Sequence, residues 1–128
     1  MPRALAFVFA LAFAAGQAEA HHSLAHYDQG REHRLEAVVD TFHYTQPHPF
    51  LVVRAGAEAW RLEMDNLFEL DAVGISRSTF KPGERVLVRG WPARSGAREL
   101  YLVRLDRPQD GLRYEQVGTS PVLTRARP

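Results

Sequence analysis

The order of the periodic segments constrains the fold of this chain more than any other feature. Three strand-like segments come first: LEAVVDTFHY from Leu35, FLVVRA from Phe50 and AWRLEM from Ala59. One short helical segment follows, and then two more strand-like segments, RVLVRGWPAR from Arg85 and ELYLVRLD from Glu99. Alternating apolar residues and many β-branched and aromatic residues are typical of half-buried strands. Three strands, a helix and two strands is also the element order of the OB-fold, so we predict a mainly β protein, a small five-stranded OB-like barrel.

The segment between the third and fourth strands carries the signals of a helix. Asp65 or Asn66 can cap its first turn, Leu67 and Leu70 recur at helical spacing, and Gly74 can end it. An SH3-like barrel or a small sandwich would give similar strand signals, but neither requires a helix at this point. We therefore place one short helix between strands 3 and 4.

Two glycines in the second half of the barrel predict local backbone features. Pro82 and Gly83 occupy the central positions of KPGE and favour a type II turn before the fourth strand. Gly90 interrupts the alternation of that strand and indicates a β-bulge.

The first 20 residues have the organisation of a secretory signal peptide. Arg3 precedes an apolar run from Ala4 to Ala15, and small residues stand at Ala18 and Ala20. That run is far shorter than the roughly 20 residues that span a bilayer. We expect cleavage after Ala20, with cleavage after Ala18 as the alternative, and a periplasmic protein whose mature chain has no membrane span.

Composition narrows the partners and the domain organisation. The chain has no cysteine, so an exported domain must rely on its core rather than on disulfides. A formal net charge of +1 without blocks of like charge gives no reason to expect nucleic acid or an anionic membrane as partner. We divide the mature chain into a polar N-terminal arm (21–34), the barrel (35–111) and a polar C-terminal tail (112–128), in which Tyr114 and Val117 could pack back onto the barrel.

Four motifs resemble one family. They are AHHS followed by HYD near the mature start, PHPF from Pro47, W-x-L-E from Trp60 to Glu63, and KPGERVLVRGWPAR from Lys81. Together they resemble a family of small exported bacterial proteins classed as a domain of unknown function, over a match from His21 to about Gly111. The resemblance implies a signal peptide and a small β-barrel but no activity. The family usually has Asn before the Pro-His pair, where this chain has Gln46.

Histidines form the first candidate site, because imidazole is the commonest protein ligand for zinc and copper. Cleavage after Ala20 would let the new α-amine and the His21 ring chelate a metal together. Cleavage after Ala18 would put His21 third, where it could complete a square-planar copper(II) site. The candidate copper or zinc ligands are His21, His22, His26, His43 and His48. The alternative is that these histidines are solvated or packed side chains.

Aromatic side chains form the second candidate site. On an OB-like barrel, aromatic residues surrounded by arginines can bind a ligand on one face. The candidate ligand-binding residues are Tyr44, Phe50, Trp60 and Trp91. Packing in or against the core is the alternative role of such residues. An envelope protein or a small ligand is the partner that fits the expected compartment.

No catalytic arrangement is visible in the sequence. Ser23 adjoins His22, but adjacent side chains seldom face each other and no G-x-S-x-G turn holds the serine. We therefore expect a noncatalytic ligand- or protein-binding module, not an enzyme, with a periplasmic copper- or zinc-binding protein as the alternative.

Overall fold

The computed structural model describes residues 24–126, and the predicted signal peptide lies outside them. The elements of the barrel are β1 (His33–His43), β2 (Phe50–Ala55), β3 (Glu58–Glu63), α1 (Leu67–Ala72), β4 (Arg85–Pro92) and β5 (Glu99–Arg107). Two further strands follow, β6 (Leu112–Val117) and β7 (Ser120–Thr124). No helix in the described segment is long and apolar enough to cross a membrane.

Strands β1 to β5 form a closed barrel, which confirms the predicted fold class. They are hydrogen-bonded in the order β3-β2-β1-β4-β5, and β3 pairs with β5 to close the sheet. That closing pair is parallel, with Leu62 opposite Leu100, whereas the other pairs are antiparallel.

The barrel interior is filled by the apolar residues that alternate along the strands. Leu51, Val53, Leu62, Leu100 and Leu102 are completely inaccessible to solvent. Because successive side chains of a strand point to opposite faces, their neighbours Phe50, Val52 and Tyr101 face outward. The alternation that predicted strands therefore also decides which residues point away from the barrel interior.

Helix α1 lies where the sequence predicts it, between β3 and β4. The side chain of Asn66 caps it by accepting a hydrogen bond from the Glu69 backbone N–H at 3.0 Å. Leu70 is fully buried in the core, and Gly74 ends the helix with a φ of +91°. Six helical residues are too few to be stable alone, so the burial of Leu70 holds the helix in place.

Both predicted glycine features are confirmed. Gly83 has a φ of +89°, as the third position of a type II turn requires, and the Glu84 N–H bonds to the Lys81 carbonyl at 3.3 Å. The pairing of β4 with β5 shifts register between Arg89 and Gly90, which is the expected bulge.

The segment expected to be a polar tail forms the β6–β7 hairpin, which continues the sheet beyond β5. Leu112 and Tyr114 point into the core and are 1% and 0% exposed. The alternating charges made the segment appear to be a tail, but Arg113 pairs with Asp106 and Glu115 with Arg104 on the outer face. Strand β6 of the hairpin also hydrogen-bonds to the edge of β5, which would otherwise lack a neighbouring strand there.

The described part of the N-terminal arm is docked on the barrel. Tyr27 forms a β-bridge with Ala93, and the Asp28 N–H bonds to the Pro92 carbonyl at 2.8 Å. Strand β1 begins at His33, two residues before the predicted Leu35, because His33 pairs with Gly90. The arm therefore follows the end of β4 before it enters the barrel.

Candidate functional site

An outward-facing row of polar and aromatic side chains crosses the barrel. Strand register aligns His43 with Phe50, Phe50 with Glu63, Glu63 with Tyr101, and Tyr101 with Trp91. We call these five residues the outer row. Each belongs to a different strand, so closure of the barrel is what brings them side by side.

One end of the outer row is a stack of three planar groups. The rings of His43 and Phe50 lie 4.3 Å apart at an angle of 14°, and the Arg61 guanidinium lies 4.1 Å from the Phe50 ring centre. Arg61 is a diagonal neighbour of Phe50, because its own partner on β2 is Val52. Directly opposite and diagonal neighbours are the pairs that interact across a sheet. We call His43, Phe50 and Arg61 the outer stack.

The other end of the outer row is covered by the arm. Tyr27 is only 3% exposed, and its ring lies 5.8 Å from that of Tyr101. Burial and a hydrogen bond to Glu63 raise the pKa of Tyr27, so its hydroxyl stays protonated and donates to the Glu63 carboxylate. Tyr101 in turn stacks on Trp91 at 5.4 Å. This end is closed by packing, whereas the outer stack is open at His43, which is exposed.

The four candidate ligand-binding aromatics lie in three different places. Phe50 and Trp91 share the outer row, separated by Glu63 and Tyr101. Trp60 packs against the core cluster and stacks on His33 at 4.9 Å.

Tyr44 has a structural environment after the end of β1. Its hydroxyl bonds to Asp71 and to the Ile75 carbonyl, which ties the loop after β1 to helix α1. Burial, followed by the hydrogen bond to Asp71, raises the pKa of Tyr44 to about 12. Of the four aromatics, only Phe50 belongs to the outer stack.

Two of the candidate metal ligands, His21 and His22, lie outside the described residues. His43 belongs to the outer stack and hydrogen-bonds to the Thr41 hydroxyl at 3.0 Å. His48 has a buried Nδ1 without a hydrogen-bond partner in the described segment, and His26 is exposed on the arm. Within residues 24–126, no three side chains of His, Cys, Asp or Glu form a group that could hold a metal ion.

Sequence reasoning missed the two tyrosines that organise the outer row. Tyr27 lies in the segment that the sequence predicts to be a polar arm, and the pattern of the fifth predicted strand does not distinguish Tyr101 from its neighbours. Only Tyr27 left a usable signal, as a large aromatic side chain in an otherwise polar segment, where burial against a neighbouring element is its common role.

The family comparison matches the chain over residues 9–101, to the model described as a Family of unknown function (DUF6152). The match extends from before the arm to Tyr101 in β5, so it includes the whole outer row. No curated protein and no solved structure matches this chain.

Proposed function

This chain belongs to the family of unknown function DUF6152, and we propose that it is a noncatalytic binding module whose ligand or protein partner docks on the outer face of β1 to β3. The observation that carries the proposal is the outer stack of His43, Phe50 and Arg61. OB-type barrels bind their ligands on the face of strands 2 and 3 and in the adjoining loops. The outer stack lies on that face.

The outer stack suits binding because its groups are already ordered. Phe50 is held between the imidazole of His43 and the guanidinium of Arg61, so fixing these side chains upon docking costs less conformational entropy. Imidazole and guanidinium groups offer N–H donors beside an apolar ring. We expect a partner that presents carboxylates or other acceptors next to an apolar group.

Binding through the outer stack is tested by size-exclusion chromatography of the protein in envelope extract. Wild-type protein is expected to elute partly as a larger complex, and Arg61→Ala is expected to elute as the free chain. Arg85→Ala is the matched control, since Arg85 is an exposed strand arginine on β4. Elution of Arg61→Ala in the same complex as wild type would refute the role of the outer stack.

Export to the periplasm is part of the proposal and rests on the first 20 residues. Fractionation of cells that express the untagged chain is expected to place it in the periplasm. Mass spectrometry is expected to find a first residue of His21, or of Glu19 if cleavage follows Ala18. Full-length chain retained in the cytoplasm would contradict export.

The absence of catalysis is proposed because the acids beside the outer stack have structural partners. Glu63 accepts a hydrogen bond from buried Tyr27, and Asp65 accepts bonds from the Asn66 N–H and the Gln116 amide. Such carboxylates hold elements together rather than standing ready as acid or base. Turnover of a substrate that is lost upon Glu63→Gln, with the fold intact, would overturn this part of the proposal.

A second proposal, a copper or zinc site, is favoured by His48 and by the docked arm. His48 lies two residues before Phe50, whose strand partner Glu63 bonds to Tyr27 of the arm. Five residues of chain span at most about 17 Å, so a metal bound by His22 would have to lie within roughly that distance of the anchor at Tyr27. The buried, unpartnered Nδ1 of His48 is a nitrogen donor that such a site could use.

The metal proposal is tested by titrating the untagged mature protein with copper(II) and zinc(II). One-to-one binding that is lost in His21→Ala/His22→Ala and weakened in His48→Ala is expected. His33→Ala is the control, because His33 stacks on Trp60 and belongs to no proposed site. Binding that survives removal of His21 and His22 would exclude the arm as the metal-binding segment.

A further inference from the structure

A polar groove lies apart from the outer stack, between the loop that follows α1, the end of β5 and the segment after β7. Its volume is about 600 Å³. Ligand-binding clefts in proteins commonly have volumes of about 300–1,000 Å³. The groove is therefore large enough for an organic molecule rather than for a bare ion.

Arg107 forms the base of the groove and forms ion pairs with both carboxylates in it. Its guanidinium bonds to Asp110 at 2.9 and 2.7 Å and to Glu84 at 2.8 Å, and its side chain is 6% exposed. The ring of Phe80 lies beneath it at 5.8 Å. One buried cation therefore holds both acids, and its charge offsets one of their two negative charges.

The other two cations of the groove are Lys81 and Arg125. Both side chains line the groove and are exposed, and neither forms a salt bridge within residues 24–126. The charge of Arg125 is close enough to Asp110 to help lower the pKa of that carboxyl. With Arg107, Glu84 and Asp110, they leave the groove with one excess positive charge. An anionic ligand is the class that this balance favours.

Hydroxyl groups form another part of the wall. Ser76 and Ser78 line the groove, with their Oγ atoms 3.1 Å apart. Hydroxyls that hydrogen-bond only to each other keep further donor and acceptor capacity for a ligand. The wall therefore suits a ligand that carries hydroxyl groups of its own.

We propose that this groove binds a small hydroxylated anion, a sugar acid or a sugar phosphate, with Lys81 and Arg125 on its charged group and Ser76 and Ser78 on its hydroxyls. A sugar acid and a sugar phosphate share one chemistry, an anionic group attached to a polyhydroxylated body. The proposal is independent of the outer stack, since no residue is common to the two sites.

The test is isothermal titration of the mature protein with four probes: glucuronate, glucose 6-phosphate, neutral glucose and inorganic phosphate. Glucuronate or glucose 6-phosphate is expected to bind at least about tenfold more tightly than glucose and inorganic phosphate, because charge and hydroxyl contacts are both needed. Whichever of the two anionic sugars binds more tightly identifies the source of the charge.

Single substitutions test whether the anionic sugar binds in the groove. Lys81→Gln and Arg125→Gln are each expected to weaken binding of the anionic sugar by about tenfold or more, because each removes a charge-assisted hydrogen bond. Arg94→Gln is the matched control, an exposed arginine in the loop after β4. The proposal fails if neither anionic sugar binds, if phosphate alone or glucose binds equally well, or if Lys81→Gln and Arg125→Gln bind like Arg94→Gln.

Discussion

At the scale of single residues, Gly90 illustrates how closely the strands of the barrel approach each other. A Cβ atom at this position would lie 2.5 Å from the Tyr101 carbonyl oxygen and 2.9 Å from the Leu100 Cβ. Backbone cannot give way as a flexible side chain can, so β4 would have to move from β5. The bulge at Gly90 is also what places Trp91 opposite Tyr101 in the outer row.

We expect Gly90→Ala to lower the free energy of unfolding by about 1–3 kcal/mol, the usual cost of overpacking. Chemical denaturation, monitored by tryptophan fluorescence, measures this change in the free energy of unfolding. Gly30→Ala is the control, because a Cβ there would meet only the Asp28 carboxylate oxygen, at 3.4 Å. Equal stability of the two variants would mean that β4 and β5 can accommodate a methyl group at Gly90 without moving apart.

Asp110 gives a prediction about acid stability. Hydrogen bonding to Arg107 lowers the pKa of Asp110 from 3.8 to about 2. A carboxylate with a lowered pKa stabilises the fold above its unfolded-state pKa and loses that contribution as the pH falls towards its folded-state pKa. Stability from Asp110 should therefore be nearly complete above about pH 4 and be lost as the pH falls through about 2.

We expect Asp110→Asn to be less stable than wild type by about 1 kcal/mol at pH 7, a modest value because Asp110 is largely exposed. The difference should shrink between pH 4 and pH 2 in urea unfolding measured over this range. Asp40→Asn, at an exposed position of β1, serves as the control. A deficit that persists unchanged at pH 2 would show that the ion pair is not its cause.

Residues with long-range partners could not be predicted from sequence. Arg107 is a buried arginine because Glu84 reaches it from the segment before β4, although Asp110, three residues on, is a local partner. Nothing in the local pattern of β5 distinguishes it from the half-exposed Arg104. By contrast, Gly83 and Gly90 were predictable, since a turn and a bulge depend on local backbone conformation.

At the scale of elements, the β6–β7 hairpin is the part of the fold that the sequence pattern concealed. The ion pairs of its outer face made a strand appear to be a polar tail. Tyr114 of this hairpin is fully buried. A side chain of this size contributes much apolar surface to a small core, so the hairpin is part of that core. The hairpin is thus an integral part of the barrel domain.

Tyr114→Ala is expected to lower the free energy of unfolding by about 3–5 kcal/mol, as large aromatic-to-alanine changes in cores do. Val117→Ala, at a site 59% exposed in the same hairpin, should change it by less than about 0.5 kcal/mol. Thermal unfolding of both variants measures the contrast. A small effect of Tyr114→Ala would mean that the barrel is stable without the hairpin.

The arm is the second element whose role depends on a single anchor. Tyr27→Ala removes the buried ring and its bond to Glu63, so we expect the arm to detach from β4. Hydrogen exchange should then accelerate at the Asp28 and Arg94 amides, which bond between arm and barrel. The Val53 amide, in a core strand, should exchange as in wild type. Unchanged protection at Asp28 and Arg94 would show that the backbone hydrogen bonds are sufficient to hold the arm on the barrel.

At the scale of the whole molecule, the order of the elements was sufficient to predict the barrel, because a helix between the third and fourth of five strands is typical of the OB-fold. The outer stack was only partly foreseeable. Alternation places Phe50 and Arg61 on the outer face, but their contact with each other and with His43 depends on the strand register. The polar groove was not predictable, because its walls come from segments far apart in sequence.

The most direct test of the binding function is photo-crosslinking in intact cells with a benzoylphenylalanine at single positions. At Val52, beside Phe50 and opposite Arg61, we predict a crosslinked product that disappears when Phe50→Ala is added. At Leu87, 42% exposed on β4, we predict none. Equal crosslinking at Val52 and Leu87, or none at Val52, would contradict docking on the outer face of β1 to β3.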